Sequence, residues 1–191
     1  MSIFKILRNN ALHTPNKIAL IFDGKQISYK KFYELVLQTV LNLKENNFKN
    51  KSVVVVIEDN SLSHILSLFA LSYINCTVVP TGTYYSQNHL TKIIELTKSD
   101  GLIGHSKYCK YFKKKSKIKN FLSTNLTNKF SYFFETNKKK FRLKNKINID
   151  KNFIITLSSG STAKPKPIVF SQHTKIIRYK LFKKLYNITS K

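Results

Sequence analysis

An α/β fold, a parallel-rich sheet flanked by helices, is what this sequence predicts, and three observations predict it. "SVVVVI" (52–57) is an unbroken β-branched run, the pattern of a parallel strand buried on both faces. Apolar residues at helical spacing follow it, and further short strands and helical stretches alternate after that. Strand and helix in alternation imply right-handed crossovers and a parallel sheet.

The elements follow in order. "KIALIFDGKQIS" places two β-prone runs around Asp23-Gly24, a hairpin signal. Ser28 is positioned to cap a helix whose apolar residues fall at Phe32, Leu35, Val36, Val40 and Leu43. After the 52–57 strand, Leu62, Ile65, Leu66, Phe69, Ala70 and Tyr73 share one helical face. "CTVVP" predicts a strand ended by Pro80, and Leu90, Ile93, Ile94 and Thr97 predict a helix leading to the strand "GLIG" (101–104). "NFIITL" returns as a strand, "IVF" is a further short one, and "TKIIRYKLFKKLY" reads as a basic amphipathic helix. Such a helix covers a sheet with its lysines in water, or lies on a membrane surface.

Residues 107–151 break the alternation. Lysines crowd there, Lys113, Lys114, Lys115, Lys138, Lys139 and Lys140 among them, against Glu135 and Asp150. Tyr108, Phe112, Phe121, Phe130 and Phe133 are interleaved. The segment reads as a basic, aromatic-rich insertion or connection. Its rings either pack on the sheet or, with the cations, stack on single-stranded nucleic acid.

The whole chain carries a formal charge of +25 and a pI near 10.1, which favours polyanionic partners without dictating a fold. Lys, Asn and Ile are overused together, which points to compositional drift. Arginine, the residue suited to bidentate contacts, is confined to Arg8, Arg142 and Arg178. An apolar fraction of 42% is enough for a packed core and excludes a disordered chain. Cys76 and Cys109 make no metal or redox spacing and fit a reducing cytoplasm. The N-terminus lacks a signal-peptide core, and no apolar run approaches the roughly 20 residues of a spanning helix.

The densest chemistry lies in "TLSSGSTAKPKPIVFSQ" (156–172), directly after a predicted strand. Gly160 lets a ligand approach the backbone, and successive N–H groups in such a turn form an anion-binding concavity. Ser158, Ser159, Ser161 and Thr162 add hydroxyls, and Lys164 and Lys166 add point charges suited to a triphosphate. Pro165 and Pro167 stiffen the segment. With only Gly160 present it is not a Walker loop, so composition alone leaves a solvated turn open beside a phosphate loop.

"LSSGSTAKPKPIV" resembles the signature of the adenylate-forming (AMP-binding) superfamily, (Y/F)-(S/T)-S-G-(S/T)-T-G-x-P-K-G-V. Ser158, Ser159, Gly160, Ser161, Thr162, Pro165 and Lys166 match in register. Upstream, "HTPNKIALIFDGKQISYKKFYELV" is similar to the family's opening, and the likeness runs from residue 13 to about 178. The resemblance implies a partial N-terminal domain over 1–191 of an AMP-forming acid–thiol ligase. Such an enzyme joins a carboxylic acid to ATP, with Mg²⁺, as an acyl-adenylate, and coenzyme A or a carrier thiol takes the acyl group in the complete enzyme. Carried over by position, the resemblance implies that Ser159, Gly160, Ser161, Thr162 and Lys166 hold ATP phosphates, and the hydroxyl of Ser158 and the charge of Lys164 complete the candidate phosphate-binding set.

Two positions depart from the signature: Ala163 and Pro167 stand where the family has glycine. If the first glycine needs positive φ, alanine costs about 1–2 kcal/mol there. The family's adenine and ribose motifs and its catalytic lysine have no counterpart here, so the chain is expected to be inactive alone, either as a fragment of a longer enzyme or as one half of a split enzyme completed by a complementary chain. The competing reading is a degenerate relative that binds polyanions or nucleic acid.

Overall fold

The computed structural model describes residues 1–134, 146–158 and 166–188. Its elements in chain order are α1 (Ile3–His13), β1 (Ile18–Phe22), β2 (Lys25–Ser28), α2 (Tyr29–Glu45), β3 (Val53–Ile57), α3 (Leu62–Tyr73) and β4 (Thr77–Thr81). Then come α4 (Gln87–Thr97), β5 (Gly101–Gly104), α5 (Ser106–Lys115), β6 (Asn120–Ser123), β7 (Asn152–Ser158), β8 (Lys166–Ser171) and α6 (Gln172–Leu185).

Serine fixes most helix starts. The side chains of Ser2, Ser28, Ser61, Ser86 and Ser171 each accept a backbone N–H three residues on, satisfying a donor that the first turn otherwise leaves free. Between β1 and β2, Asp23 (φ 50°) and Gly24 (φ 71°) both have positive φ, as the predicted tight hairpin turn requires.

The main sheet has the order β6-β5-β3-β4-β7-β8. β3 is parallel to β4 and β5, β5 to β6, and β4 to β7. Only the last pair, β7 with β8, is antiparallel. β3 divides the core. Val54 and Val56 point to one face, against α1, α2 and α3. Val55 and Ile57 point to the other, against α4 and α5. All four are fully buried, which is why the run carries no polar alternation. Gly101 serves the same packing: a Cβ there would lie 2.8 Å from the Phe48 ring.

The alternation does not stop at residue 104, where the sequence pattern places its end. α5 and β6 continue it into the basic stretch, and β6 extends the sheet beside β5. Lysines hide this helix in the sequence. Tyr108, Cys109 and Phe112 form a buried stripe, whereas Lys107, Lys110, Lys113, Lys114 and Lys115 are exposed. Phe133 is also buried, and its carbonyl accepts from Asn42 Nδ2 at 3.0 Å. These rings are in the core and are not free to stack on nucleic acid. α1 is likewise a helix that the sequence pattern does not announce; Phe4 and Leu7 anchor it to α2 and α3. β4 runs one residue past Pro80 to Thr81. Among the described residues no helix is long and apolar enough to cross a membrane.

If α5 is core structure, Phe112→Ala should cost about 3–5 kcal/mol in urea unfolding. Lys110→Ala and Lys114→Ala, from the same helix, should each stay within about 0.5 kcal/mol. Equal, small effects from all three would remove α5 from the core.

Candidate functional site

Parallel sheets present their connections at the C-terminal ends of the strands, and ligands gather there. β7 ends on this rim at Ser158, and β8 starts at Lys166. The two residues are register partners, and Ser158 Oγ donates to the Lys166 carbonyl at 3.4 Å. Leu157 pairs with Pro167 and Thr156 with Ile168 behind them. Ser158 is half-buried and Lys166 exposed. The structure therefore brings Ser158 and Lys166 together at the base of the connection 159–165. Ser159, Gly160, Ser161, Thr162 and Lys164 lie outside the described residues, as do Ala163 and Pro165.

Pro167 does fall within view. It sits inside β8, the terminal strand, where the missing N–H of proline is tolerated, and it has no positive φ. This departure from the signature imposes no left-handed backbone on proline.

The neighbouring rim contains residues that the sequence analysis does not single out. Glu58, just past β3, accepts from Thr124 Oγ1 at 2.6 Å, Ser61 Oγ at 3.0 Å and Ser63 Oγ at 3.1 Å. Asp59 accepts from Thr83 N at 2.8 Å and from the Thr83 hydroxyl. The Thr83 hydroxyl, then its N–H, hold the Asp59 carboxyl below its ordinary pKa. Both carboxylates are engaged in joining the connections after β3, β4 and β6. The signal is present in "EDNSLS", two acids followed by two serines directly after a strand, but it names no distant partner.

Beside them, Tyr84 and Tyr85 lie with ring centroids 4.4 Å apart, and Tyr85 and His89 4.8 Å apart. Tyr84 lies over Gly82, where a Cβ would meet its ring at 2.0 Å. β4 is hydrogen-bonded to β7, so this turn and the 159–165 connection leave adjacent strands at the same end.

A groove of about 880 Å³ lies elsewhere. Lys98, Asp100, Lys114, Lys115 and Lys117 are among its lining, at the opposite end of the sheet and at the C-terminal ends of α4 and α5. Helix C-termini carry partial negative charge and offset those lysines toward an anion. The described residues include no group of three His, Cys, Asp or Glu side chains that could hold a metal ion.

The family model described as AMP-binding enzyme matches residues 7–188. The chain belongs to the AMP-binding enzyme family. This AMP-binding chain is 22% identical to bacitracin synthase 2 of Bacillus licheniformis over 178 residues, 93% of the chain and 6% of that protein. It is 23% identical to zwittermicin A synthase ZmaJ of Bacillus cereus over 189 residues, 99% of the chain and 34% of that protein. Its fold matches that of o-succinylbenzoate CoA synthetase from Bacillus subtilis, solved with an acyl-adenylate, at a TM-score of 0.84 and 15% identity. That match covers 100% of this chain and 47% of the synthetase. The chain thus spans about a third or less of the two synthase relatives and about half of the solved enzyme. The expected α/β architecture and the expected N-terminal portion of an adenylate-forming enzyme are both found.

Neither cysteine of this AMP-binding chain is placed for nucleophilic work. Burial pushes the thiols of Cys76 and Cys109 up to about 12, each to the same extent. At pH 8 a thiol reagent should therefore label neither in the folded chain and both in urea. Rapid labelling of either without denaturant would contradict the burial.

Proposed function

We propose that the chain supplies the polyphosphate grip of an AMP-forming ligase that activates a carboxylic acid. The observation supporting this is the pairing of Ser158 with Lys166, which closes the 159–165 connection at the C-terminal rim beside β4. The sequence between them is rich in hydroxyls and cations, and the strand pair holds the residues on either side of it.

In the reaction, a carboxylate oxygen attacks the α-phosphorus of ATP. The bond to the bridging oxygen breaks, the acyl-adenylate forms, and pyrophosphate leaves. Lys166, exposed at the mouth of the hairpin, meets the charge that grows on the departing phosphates. Ser158 holds the Lys166 backbone through its hydroxyl and so orients that cation. By position in the signature, Ser159, Gly160, Ser161 and Thr162 add backbone and side-chain donors, and Lys164 adds a second cation. A magnesium ion, when present, would neutralise phosphate charge; it would arrive with the phosphates, which suits a rim offering hydroxyls where Mg²⁺ keeps most of its own ligands. The acid, the thiol acceptor and the groups that hold the adenosine belong to the complete enzyme.

Lys166→Ala tests the reading directly. Mg-ATP and inorganic tripolyphosphate should both bind more weakly by calorimetry, by about 1–2 kcal/mol, roughly five- to thirty-fold. The melting curve should not move, because the side chain is exposed. Ala163→Gly should act the other way and tighten both, by about 1–2 kcal/mol if positive φ is needed there. Affinities unchanged by Lys166→Ala would end the proposal.

A further inference from the structure

α5 carries its charge on one side. Lys107, Lys110 and Lys114 recur at i, i+3 and i+7, one stripe of the helix, and all three are exposed. They stand opposite Tyr108, Cys109 and Phe112, which are buried in the core. Lys113, Lys115, Lys117 and Lys119 are exposed as well, so seven of the thirteen residues 107–119 are lysine. The whole chain has 34 Lys and Arg in 191 residues, and its general lysine enrichment does not produce this density. No acidic residue occurs between Asp100 and Glu135. Among the described residues no carboxylate pairs with the stripe.

The segment after β6 lies along the same helix. Asn125 Oδ1 accepts from Ser106 N at 2.7 Å, at the start of α5. Two turns further on, Lys113 Nζ lies 5.6 Å from the centre of the Phe130 ring. Leu126, between those two contacts, is 77% exposed, and Lys129 is exposed near it. An aliphatic side chain therefore stands in water among cations. This surface belongs to the β5–β6 side of the sheet, at the opposite edge from β8.

The occupant follows from what these groups can grip. Lysine is a point charge without arginine's fork, suited to an anionic surface whose groups rearrange to meet it. Single-stranded nucleic acid needs free rings, but Tyr108 and Phe112 are buried, and Phe121 and Phe130 lie against each other at 5.9 Å. A lysine cluster on an amphipathic helix suits a leaflet of anionic lipid, and an exposed aliphatic residue beside it enters the acyl boundary. The negative end of the α5 dipole acts within the last turn, which leaves Lys107 and Lys110 undiminished.

We propose that the outer face of α5, with Leu126 and Lys129 alongside, docks the chain on an anionic bilayer surface. The lysines draw the chain to negatively charged headgroups, and Leu126 enters between them. The phosphate grip is built from β7 and β8, so either reading can fail without the other.

The test sediments the purified chain with vesicles of phosphatidylcholine, alone or with about one-third phosphatidylserine. Binding to the anionic vesicles only, weakening as salt rises, is expected. Replacing Lys107, Lys110 and Lys114 together by glutamine should lower partitioning on the order of a hundredfold, at roughly fivefold per lysine. The same charge removed from α6, at Lys180, Lys183 and Lys184, should lower it by less than about tenfold. All six lysines are exposed, and both triple variants should keep the circular dichroism of the parent. The chain has no tryptophan, so Leu126→Trp gives a single reporter. Its emission should shift to the blue on anionic vesicles and be quenched by brominated acyl chains. Leu12→Trp, at an exposed site on α1 across the sheet, should show neither change. Absence of binding to anionic vesicles, equal losses from the two triple variants or an unshifted Leu126→Trp would overturn the proposal. So would tighter binding to single-stranded nucleic acid than to vesicles, lost with the same three lysines of α5.

Discussion

β3 carries the constraint to which the other elements answer. Its side chains Val54, Val55, Val56 and Ile57 have no exposure to water, and each such burial contributes roughly 1.5–3 kcal/mol. A strand buried on both faces needs a layer of helices on each, which is what α1, α2 and α3 on one side and α4 and α5 on the other provide. Its neighbours on both edges, β4 and β5, are held in register over nearly its full length. The connection after β3 enters α3 on one face, while that after β5 enters α5 on the other. The crevice such a divergence opens is the usual ligand position in an open α/β sheet. Here the Glu58 carboxylate, held by the hydroxyls of Thr124, Ser61 and Ser63, stands at that end of β3. The signature lies two strands away, after β7.

That displacement changes how the site is built. A phosphate loop at a helix N-terminus is flanked by a strand and a helix; the 159–165 connection is flanked by two paired strands. Five register pairs run from Ile154–Phe170 to Ser158–Lys166 and fix both ends. β7 in turn is held by β4, through Val78 opposite Ile154 and through Thr77 Oγ1 donating to the Asn152 carbonyl at 3.2 Å. The path from the buried strand to the candidate grip is therefore β3 to β4 to β7 to β8, with ladders at the first and last steps and the Val78–Ile154 pair at the middle one.

Local signals in the sequence were legible wherever one residue type determined one geometry. The Asp23-Gly24 turn, the serine cap at residue 28 and the β-branched run at 52–57 each encode their own structure. α5 was not legible, because five lysines in ten positions mask an apolar stripe that only Tyr108, Cys109 and Phe112 supply. The strand β6 is four residues long, and Asn120, Phe121, Leu122 and Ser123 give too short a pattern to separate from a loop. The openness of α6 was unreadable for another reason. An amphipathic helix announces an apolar face but says nothing of what covers it, and among the described residues of α6 only Gln172 and Ile176 are buried. At the candidate site, Ser158 and Lys166 could be named from the signature, but their pairing depends on register across β7 and β8. The Glu58 and Asp59 contacts join residues up to 66 positions apart and have no local signature.

The two departures from the family signature then separate. Pro167 can neither adopt positive φ nor donate an N–H. Yet its position is the second residue of β8, an extended strand at the sheet edge, and extended geometry with φ near −65° is compatible with proline. Whatever cost the altered signature imposes on phosphate binding is therefore concentrated at Ala163. A single alanine-to-glycine reversal, with Pro167 left in place, is the change that should restore the grip.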